Sequence, residues 1–253
     1  MNRETAGESW FPCAHPRPQA ECRLFCFPFA GAGVAAYARW PQALPSTVEM
    51  RPVQLPGRES RMRETPYDHC VALTEAIAER MEIHLDRPFA FFGHSMGALL
   101  AFETARVLRR RGRPTPGLLV LSSRPAPQLP KPHAPVHQLP RDEFLGEIQR
   151  LFDPPNLAWR EPALMEIMLP TLRADMSVCD TYEYNHEPPL HCPIHAIGGD
   201  ADPTTPVQAL QAWREQTDSA FEFQVLPGRH FYLNENTPRV LEHIEDALAA
   251  LQT

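Results

Sequence analysis

A short apolar run, Phe89-Ala90-Phe91-Phe92, leads directly into Gly93-His94-Ser95-Met96-Gly97, and a helix-forming stretch follows from Ala98 to Leu108. Strand, G-x-S-x-G and helix in register constrain the fold more than any other feature of the chain. The turn they require is so tight that its flanking positions tolerate almost no side chain, which accounts for glycine at 93 and 97. It would raise Ser95 above the edge of a sheet at a helix N-terminus, where the helix dipole favours developing negative charge. Such a turn belongs to a sheet whose strands alternate with helices, so the rest of the chain should alternate too.

It does. Apolar runs at Cys22–Phe27, Val48–Val53, Phe89–Phe92, Leu118–Ser122, Ile194–Ile197 and Phe221–Leu226 read as strands separated by amphipathic stretches. Between Pro66 and Leu85 the residues Tyr67, Cys70, Val71, Thr74, Ile77, Ala78, Met81 and Leu85 fall at helical spacing and predict one buried stripe. A last helix is expected to start at Thr237-Pro238, a cap residue followed by proline, with Val240, Leu241, Ile244, Leu248 and Leu251 facing the core. The class expected is α/β, a mostly parallel central sheet flanked by helices.

One region breaks the alternation. Arg124–Cys192 is too long for a structureless connection. It opens with the proline-rich stretch Pro125–Pro140. Helical patterns follow at Phe144, Leu145, Ile148, Leu151 and Phe152, then from Leu164 to about Tyr184, with a kink expected at Pro170. An insertion at the carboxyl edge of a sheet is where a helical lid would sit, although static helical packing explains the same pattern. The expected organisation is an N-terminal extension over 1–21 and one domain over 22–253 carrying a lid over about 124–192.

Composition removes several functions. The formal charge of −7 argues against binding nucleic acid non-specifically. No apolar run approaches the roughly 18 residues of a membrane span, and the first 20 residues carry Arg3, Glu4, Glu8 and three prolines but no apolar signal core. Six scattered cysteines without a C-x-x-C pair read as reduced thiols, and the expected location is the cytoplasm. Prolines number 29 of 253, about twice the usual share, which implies many fixed loops.

A serine on such a turn needs a base, and the base needs an acid, in the chain order Ser, acid, His. The strand Ile194–Ile197 runs into Gly198-Gly199-Asp200-Ala201-Asp202-Pro203, and Phe221–Leu226 into Pro227-Gly228-Arg229-His230-Phe231. Both segments lie just past a strand's carboxyl end, where α/β sheets place their sites. His230 is therefore the expected base. Asp202, in a G-x-x-D arrangement from Gly199, is preferred to Asp200 as the orienting acid, and Asp200 is expected to serve the loop. His94 is read as packing within the turn. An oxyanion hole needs two backbone N–H groups. Met96, next to the serine, should supply one, and Ala30 in Phe27-Pro28-Phe29-Ala30-Gly31-Ala32-Gly33 the other.

Two further motifs compete. Gly31-x-Gly33-x-x-Ala36 after a strand imitates a dinucleotide-binding turn. The next strand ends Arg51-Pro52-Val53-Gln54, without the acid that would bind a ribose, so no nucleotide cofactor is expected. His186, His191, Cys192 and His195 are spaced like metal ligands, but Pro188, Pro189 and Pro193 interrupt them and His195 falls inside a strand. No metal is expected.

These residues together resemble the type II thioesterases of nonribosomal peptide and polyketide synthesis, over roughly Arg23 to Ala249. The resemblance lies in Phe27–Ala32, Gln54-Leu55-Pro56-Gly57-Arg58, Gly93–Gly97 and Leu172-Arg173-Ala174-Asp175. It continues in Pro188-Pro189-Leu190, Gly198–Pro203 and Pro227–Phe231. The Pro-Gly-Arg and Arg-Ala-Asp segments separate that family from generic esterases, which share only the serine turn. The resemblance implies the α/β-hydrolase fold and an acyl-enzyme mechanism through Ser95, His230 and Asp202. It also implies hydrolysis of acyl groups from the phosphopantetheine thiol of acyl or peptidyl carrier domains, releasing misprimed or stalled chains. No cofactor of the enzyme's own follows, since the carrier brings the phosphopantetheine.

Two segments depart from the pattern. Phe29 stands where many members have histidine. Leu151-Phe152-Asp153-Pro154-Pro155 replaces a glycine-rich turn, which bears on the shape of the acyl pocket. Met165, Met168, Leu172 and Met176, at helical spacing in the insertion, are expected to line an acyl channel, flexible thioethers suiting varied chains. Core packing is the competing account. Carrier domains are usually acidic, so docking is expected on local cations: Arg58, Arg61 and Arg63, or Arg109-Arg110-Arg111, which equally suits a helix C-terminus. Three other functions share much of this sequence logic: a medium-chain acyl-carrier hydrolase of fatty acid synthesis, a small-molecule carboxylesterase, and an inactive binding module on the same fold.

Overall fold

The structure is a computed structural model that describes residues 9–154 and 161–250. Six strands form one sheet: β1 (Cys22–Phe27), β2 (Val48–Pro52), β3 (Phe89–His94), β4 (Leu118–Ser122), β5 (Ile194–Gly199) and β6 (Phe221–Leu226). Their spatial order is β2-β1-β3-β4-β5-β6, with every pair parallel. The helices are α1 (Trp40–Ala43), α2 (Cys70–Met81), α3 (Met96–Arg110), α4 (Arg141–Phe152), α5 (Pro162–Asp180), α6 (Val207–Gln211) and α7 (Leu233–Ala250).

Because side chains alternate along a strand, each central strand feeds two cores. Phe25, Phe27 and Phe91 point to one face and pack with α2 and α3, while Leu24, Cys26 and Phe92 meet Tyr37, Trp40 and α7 on the other. Strands buried on both faces read as continuous apolar runs, which is why they were visible in the sequence. The insertion has a core of its own: Val136, Phe144, Ile148 and Leu151 pack against Leu172 and Met176 of α5.

Several sequence expectations shift. α2 begins at Cys70, and Val71 faces solvent while Leu73 is buried in its place. α5 ends at Asp180, four residues before the expected limit, and continues through Pro170. Thr237 does not cap the last helix. Its hydroxyl donates backwards to the Leu233 carbonyl at 2.7 Å, and a preceding turn joins the helix across a kink at Asn236. Leu251 and Pro155 lie outside the described residues. Trp10 and Phe11, ahead of β1, pack into the core: the Phe11 ring sits edge-on to Phe25, and the Gln54 N–H donates to the Trp10 carbonyl at 2.7 Å.

The strand order reverses between β1 and β3. A crevice opens there beyond the carboxyl ends of the strands, where α/β sheets bind ligands.

Candidate active site

The β3–α3 turn has the strained geometry its sequence demands. Ser95 adopts φ 56° and ψ −115°, a conformation that non-glycine residues occupy rarely and at some cost. The surroundings hold it there. A Cβ on Gly93 would lie 2.1 Å from the Gly97 carbonyl oxygen, and one on Gly97 would lie 2.2 Å from that of Phe27. The Ser95 N–H donates to the Ser122 carbonyl at 2.8 Å, tying the turn to β4.

Loops from three strand ends converge on this serine. His230 Nε2 is 2.9 Å from Ser95 Oγ, and His230 Nδ1 is 2.9 Å from Asp202 Oδ2. His230 and Asp202 are buried, 2% and 6% exposed, so both bonds lie in a medium that screens poorly. Burial opposes ionisation of Asp202, but hydrogen bonds from His230 and Thr204, with the charge of His230, outweigh it and hold the carboxyl at about 2. Asp202 is therefore a carboxylate at neutral pH, able to accept from Nδ1–H and leave Nε2 as the acceptor for Ser95. Asp200 is exposed, and its carboxylate accepts from the Gly228 N–H at 2.9 Å, the loop role expected of it.

One partner of the relay, Thr204, escaped the sequence reading, while His94 packs within the turn as expected. Thr204 donates both N–H (2.9 Å) and Oγ1–H (2.8 Å) to Asp202 Oδ1, so the carboxylate is held at both oxygens. The signal was the short Asp-Pro-Thr-Thr turn, legible only once the acid was known. His94 is fully buried with Nδ1 2.8 Å from Ser122 Oγ, which in turn bonds the Tyr232 hydroxyl at 2.7 Å. Burial first, and the neighbouring His230 second, push its pKa well down, so it stays neutral beside the relay.

Ser95, His230 and Thr204 open into a cavity of about 300 Å³. Its apolar wall contains Phe29, Ile148, Phe152, Phe231 and all four insertion residues singled out above, Met165, Met168, Leu172 and Met176. Lining and packing are not alternatives here. Leu172 and Met176 belong to the insertion core and also face the cavity, whereas Met168 is only half-buried. Phe152, from the segment that departs from the family pattern, lays its ring 4.8 Å from that of His230. Phe29 stacks edge-on with His94 and Phe231. Ala30 lines the cavity, and Met96 opens α3, where N–H groups lack intrahelical acceptors.

The arginines expected to dock a partner are largely committed internally. Arg58 binds Asp175, and Arg61 is buried against Glu64 with its guanidinium 4.1 Å over the Trp10 ring. Arg109 and Arg110 bind Glu187, Arg111 binds Glu75, and Arg109 also caps the carbonyls of Pro188 and Pro189. Of these cations Arg63 alone is exposed with no ion pair among the described residues. The histidines spaced like metal ligands disperse: His195 meets His243 at 3.0 Å and His191 pairs with Asp218. Among the described residues no three histidine, cysteine or acidic side chains are grouped to hold a metal. Among them, too, no helix is long and apolar enough to cross a membrane.

A parallel sheet that carries serine on this turn, with aspartate and histidine beyond later strands, defines the α/β-hydrolase class of serine hydrolases. The family described as "Thioesterase domain" matches residues 22–248, and the chain belongs to it. It is 41% identical over 233 residues to the gramicidin S biosynthesis protein GrsT of Aneurinibacillus migulanus, spanning 92% of this chain and 91% of that one. It is 40% identical to RedJ, a thioesterase from the prodiginine biosynthetic pathway of Streptomyces coelicolor, with a TM-score of 0.85 over 98% of this chain and 96% of that one. The type II thioesterase BorB from the borrelidin biosynthetic cluster is 34% identical, with a TM-score of 0.85 over 95% and 97% of the two chains. The expected fold and enzyme class, a serine thioester hydrolase, are borne out.

Proposed function

We propose that this thioesterase removes acyl groups from the phosphopantetheine thiol of carrier domains in a peptide or polyketide synthase, clearing misprimed or stalled chains. The observation that carries this reading is a Ser-His-Asp relay opening directly onto a methionine-lined apolar cavity of acyl-chain size. Ser95 Oγ attacks the thioester carbonyl as His230 Nε2 takes its proton, and Asp202 stabilises the resulting imidazolium. The N–H groups of Ala30 and Met96 receive the oxyanion of the tetrahedral intermediate. Collapse expels the pantetheine thiolate, which takes the proton from His230. Water then attacks the acyl-Ser95 ester with His230 again as base, and free acid leaves.

The protein needs no cofactor in this scheme, because the carrier supplies the pantetheine arm. Six unpaired cysteines support a reducing compartment such as the cytoplasm. The test is to compare kcat/KM on acyl-carrier thioesters of short and medium chain length with that on simple esters, using Ser95→Ala as the blank. Preference for carrier thioesters supports the reading. Faster turnover of simple oxygen esters than of any carrier thioester would make the protein a carboxylesterase, and preference for medium chains over short ones would make it a fatty-acid chain terminator.

A further inference from the structure

Several charged residues outside the relay are buried as deeply as its members, among them Arg23, Glu49, Arg106 and Asp180, and one such pair sits against the loop beside Ser95. Asp175 on α5 is 1% exposed and Arg58, in the loop after β2, is 6% exposed. Asp175 Oδ2 accepts from Arg58 Nη1 and from the Gly31 N–H, each at 2.7 Å, and Oδ1 accepts from Arg58 Nη2 at 2.8 Å. Arg58 also donates from Nη1 to the Ala32 carbonyl at 2.9 Å and from Nε to that of Pro56 at 3.3 Å. One helical turn earlier on α5, Thr171 Oγ1 donates to the Gly57 carbonyl at 2.6 Å.

These bonds meet at the loop that follows β1. There the Ala32 N–H donates to the Phe29 carbonyl at 3.0 Å, and Asp175 takes the Gly31 N–H. Among the described residues no hydrogen bond takes the Ala30 N–H. Fixing the peptide between Ala30 and Gly31 on one side, and the turn from Phe29 to Ala32 on the other, sets the orientation of the Ala30 N–H. A carboxylate alone against this loop would repel an oxyanion forming beside it, and in a poorly screened interior the repulsion would be strong. The guanidinium of Arg58 cancels that charge. Net stability is a poor account of the pair, because a buried ion pair is often no more stabilising than apolar residues of equal volume.

We infer that Arg58 and Asp175 are positioning residues: together they aim the Ala30 amide at the transition-state oxyanion and neutralise the charge that would oppose it. The inference rests on the proposed role of Ala30 in the oxyanion hole. The Pro-Gly-Arg and Arg-Ala-Asp segments each supply one half of the contact.

The test uses the whole protein and p-nitrophenyl butyrate, a substrate open to any serine hydrolase, so that it does not depend on the natural acyl donor. Asp175→Asn keeps an acceptor for Gly31 but leaves Arg58 without its counter-charge. The double variant Arg58→Met, Asp175→Leu removes both charges and fills the site with apolar side chains, which keeps the fold in reach if the single variant is unstable. For each folded variant kcat should fall at least tenfold with KM changed less than twofold. The inhibition constant of an alkyl trifluoromethyl ketone should rise at least tenfold as well. That ketone bonds to Ser95 Oγ, its carbonyl oxygen becomes the oxyanion, and the serine proton passes to His230, so it reads the oxyanion site directly. Folded variants that keep kcat and the ketone constant within twofold of the wild type would overturn the inference. So would a rise in KM with kcat unchanged, since that would mark the pair as part of substrate binding. A wild type that hydrolyses the ester but ignores acyl-pantetheine thioesters would instead overturn the proposed substrate and leave this inference standing.

Discussion

Asp202→Asn tests the relay at its most informative point. Asp202 uses Oδ2 toward His230 Nδ1 at 2.9 Å and Oδ1 toward the N–H and hydroxyl of Thr204 at 2.9 and 2.8 Å. An asparagine cannot satisfy both sides. If its oxygen keeps the two Thr204 donors, its NH2 faces His230 and stabilises the tautomer protonated at Nε2, which cannot accept the Ser95 proton. If the amide flips, the NH2 opposes the Thr204 N–H, and one buried donor is left unpaired at a cost of about 1–3 kcal/mol. The first arrangement is cheaper, so the wrong tautomer should dominate. Loss of the orienting carboxylate in this type of relay lowers kcat by about 10⁴, equivalent to roughly 5.5 kcal/mol of barrier. Asp200→Asn is the control: its single acceptor role toward the Gly228 N–H survives in an amide, so kcat/KM should stay within about twofold. The assay is thioester turnover of both variants alongside melting temperatures. If Asp202→Asn keeps more than a tenth of wild-type activity, or Asp200→Asn loses more than Asp202→Asn at unchanged melting temperature, the orienting acid has been misassigned.

Further expectations follow from the same geometry. Ser95→Ala should fold normally and lose up to ~10⁶ in turnover; retention of more than a tenth of the wild-type rate would remove Ser95 as nucleophile. Gly97→Ala would set a Cβ 2.2 Å from the Phe27 carbonyl oxygen, so calorimetry should register about 1–3 kcal/mol of lost stability, and a fall in kcat should accompany it because the displaced strand end carries Ala30. His94 titrates well below its ordinary 6.5 when folded, so the unfolded chain binds a proton that the native one refuses, and denaturant midpoints should start to fall as pH drops below about 6.5. Asp202, at about 2 against its ordinary 3.8, adds a second loss as pH falls from about 4 to 2; a midpoint flat from pH 7 to 5 would contradict a neutral buried His94. Met176→Ala, in both the insertion core and the cavity wall, should lower the melting temperature and also shift chain-length preference, whereas half-buried Met168→Ala should shift preference with little loss of stability.

Much of this protein was determined by local sequence. Strands buried on both faces must be apolar throughout, so β1, β3 and β4 announce themselves. The serine turn is equally local: glycines at 93 and 97 are demanded by atoms within 3 Å, and their spacing around Ser95 records that demand in the chain. Asp202 and His230 could be picked out because each follows a strand end, and the chain order of the relay does the rest. What local pattern could not decide is partnership between residues distant in sequence. Arg58 looked like a solvent-facing cation, yet the fold buries it on Asp175, 117 positions away. The Arg109 run likewise pairs with Glu187 and Glu75. Charge and side-chain length are the same whether an arginine docks a partner or braces a loop, and only tertiary packing brings the counter-charge within reach. Thr237 failed as a cap for a related reason: its hydroxyl can bond forward or backward, and the extra turn beginning at Leu233 supplied the nearer carbonyl. The methionines of α5 carry the same lesson into function, since helical spacing defines one apolar stripe, but the packing of the insertion over the sheet decides which part of it meets Ser95.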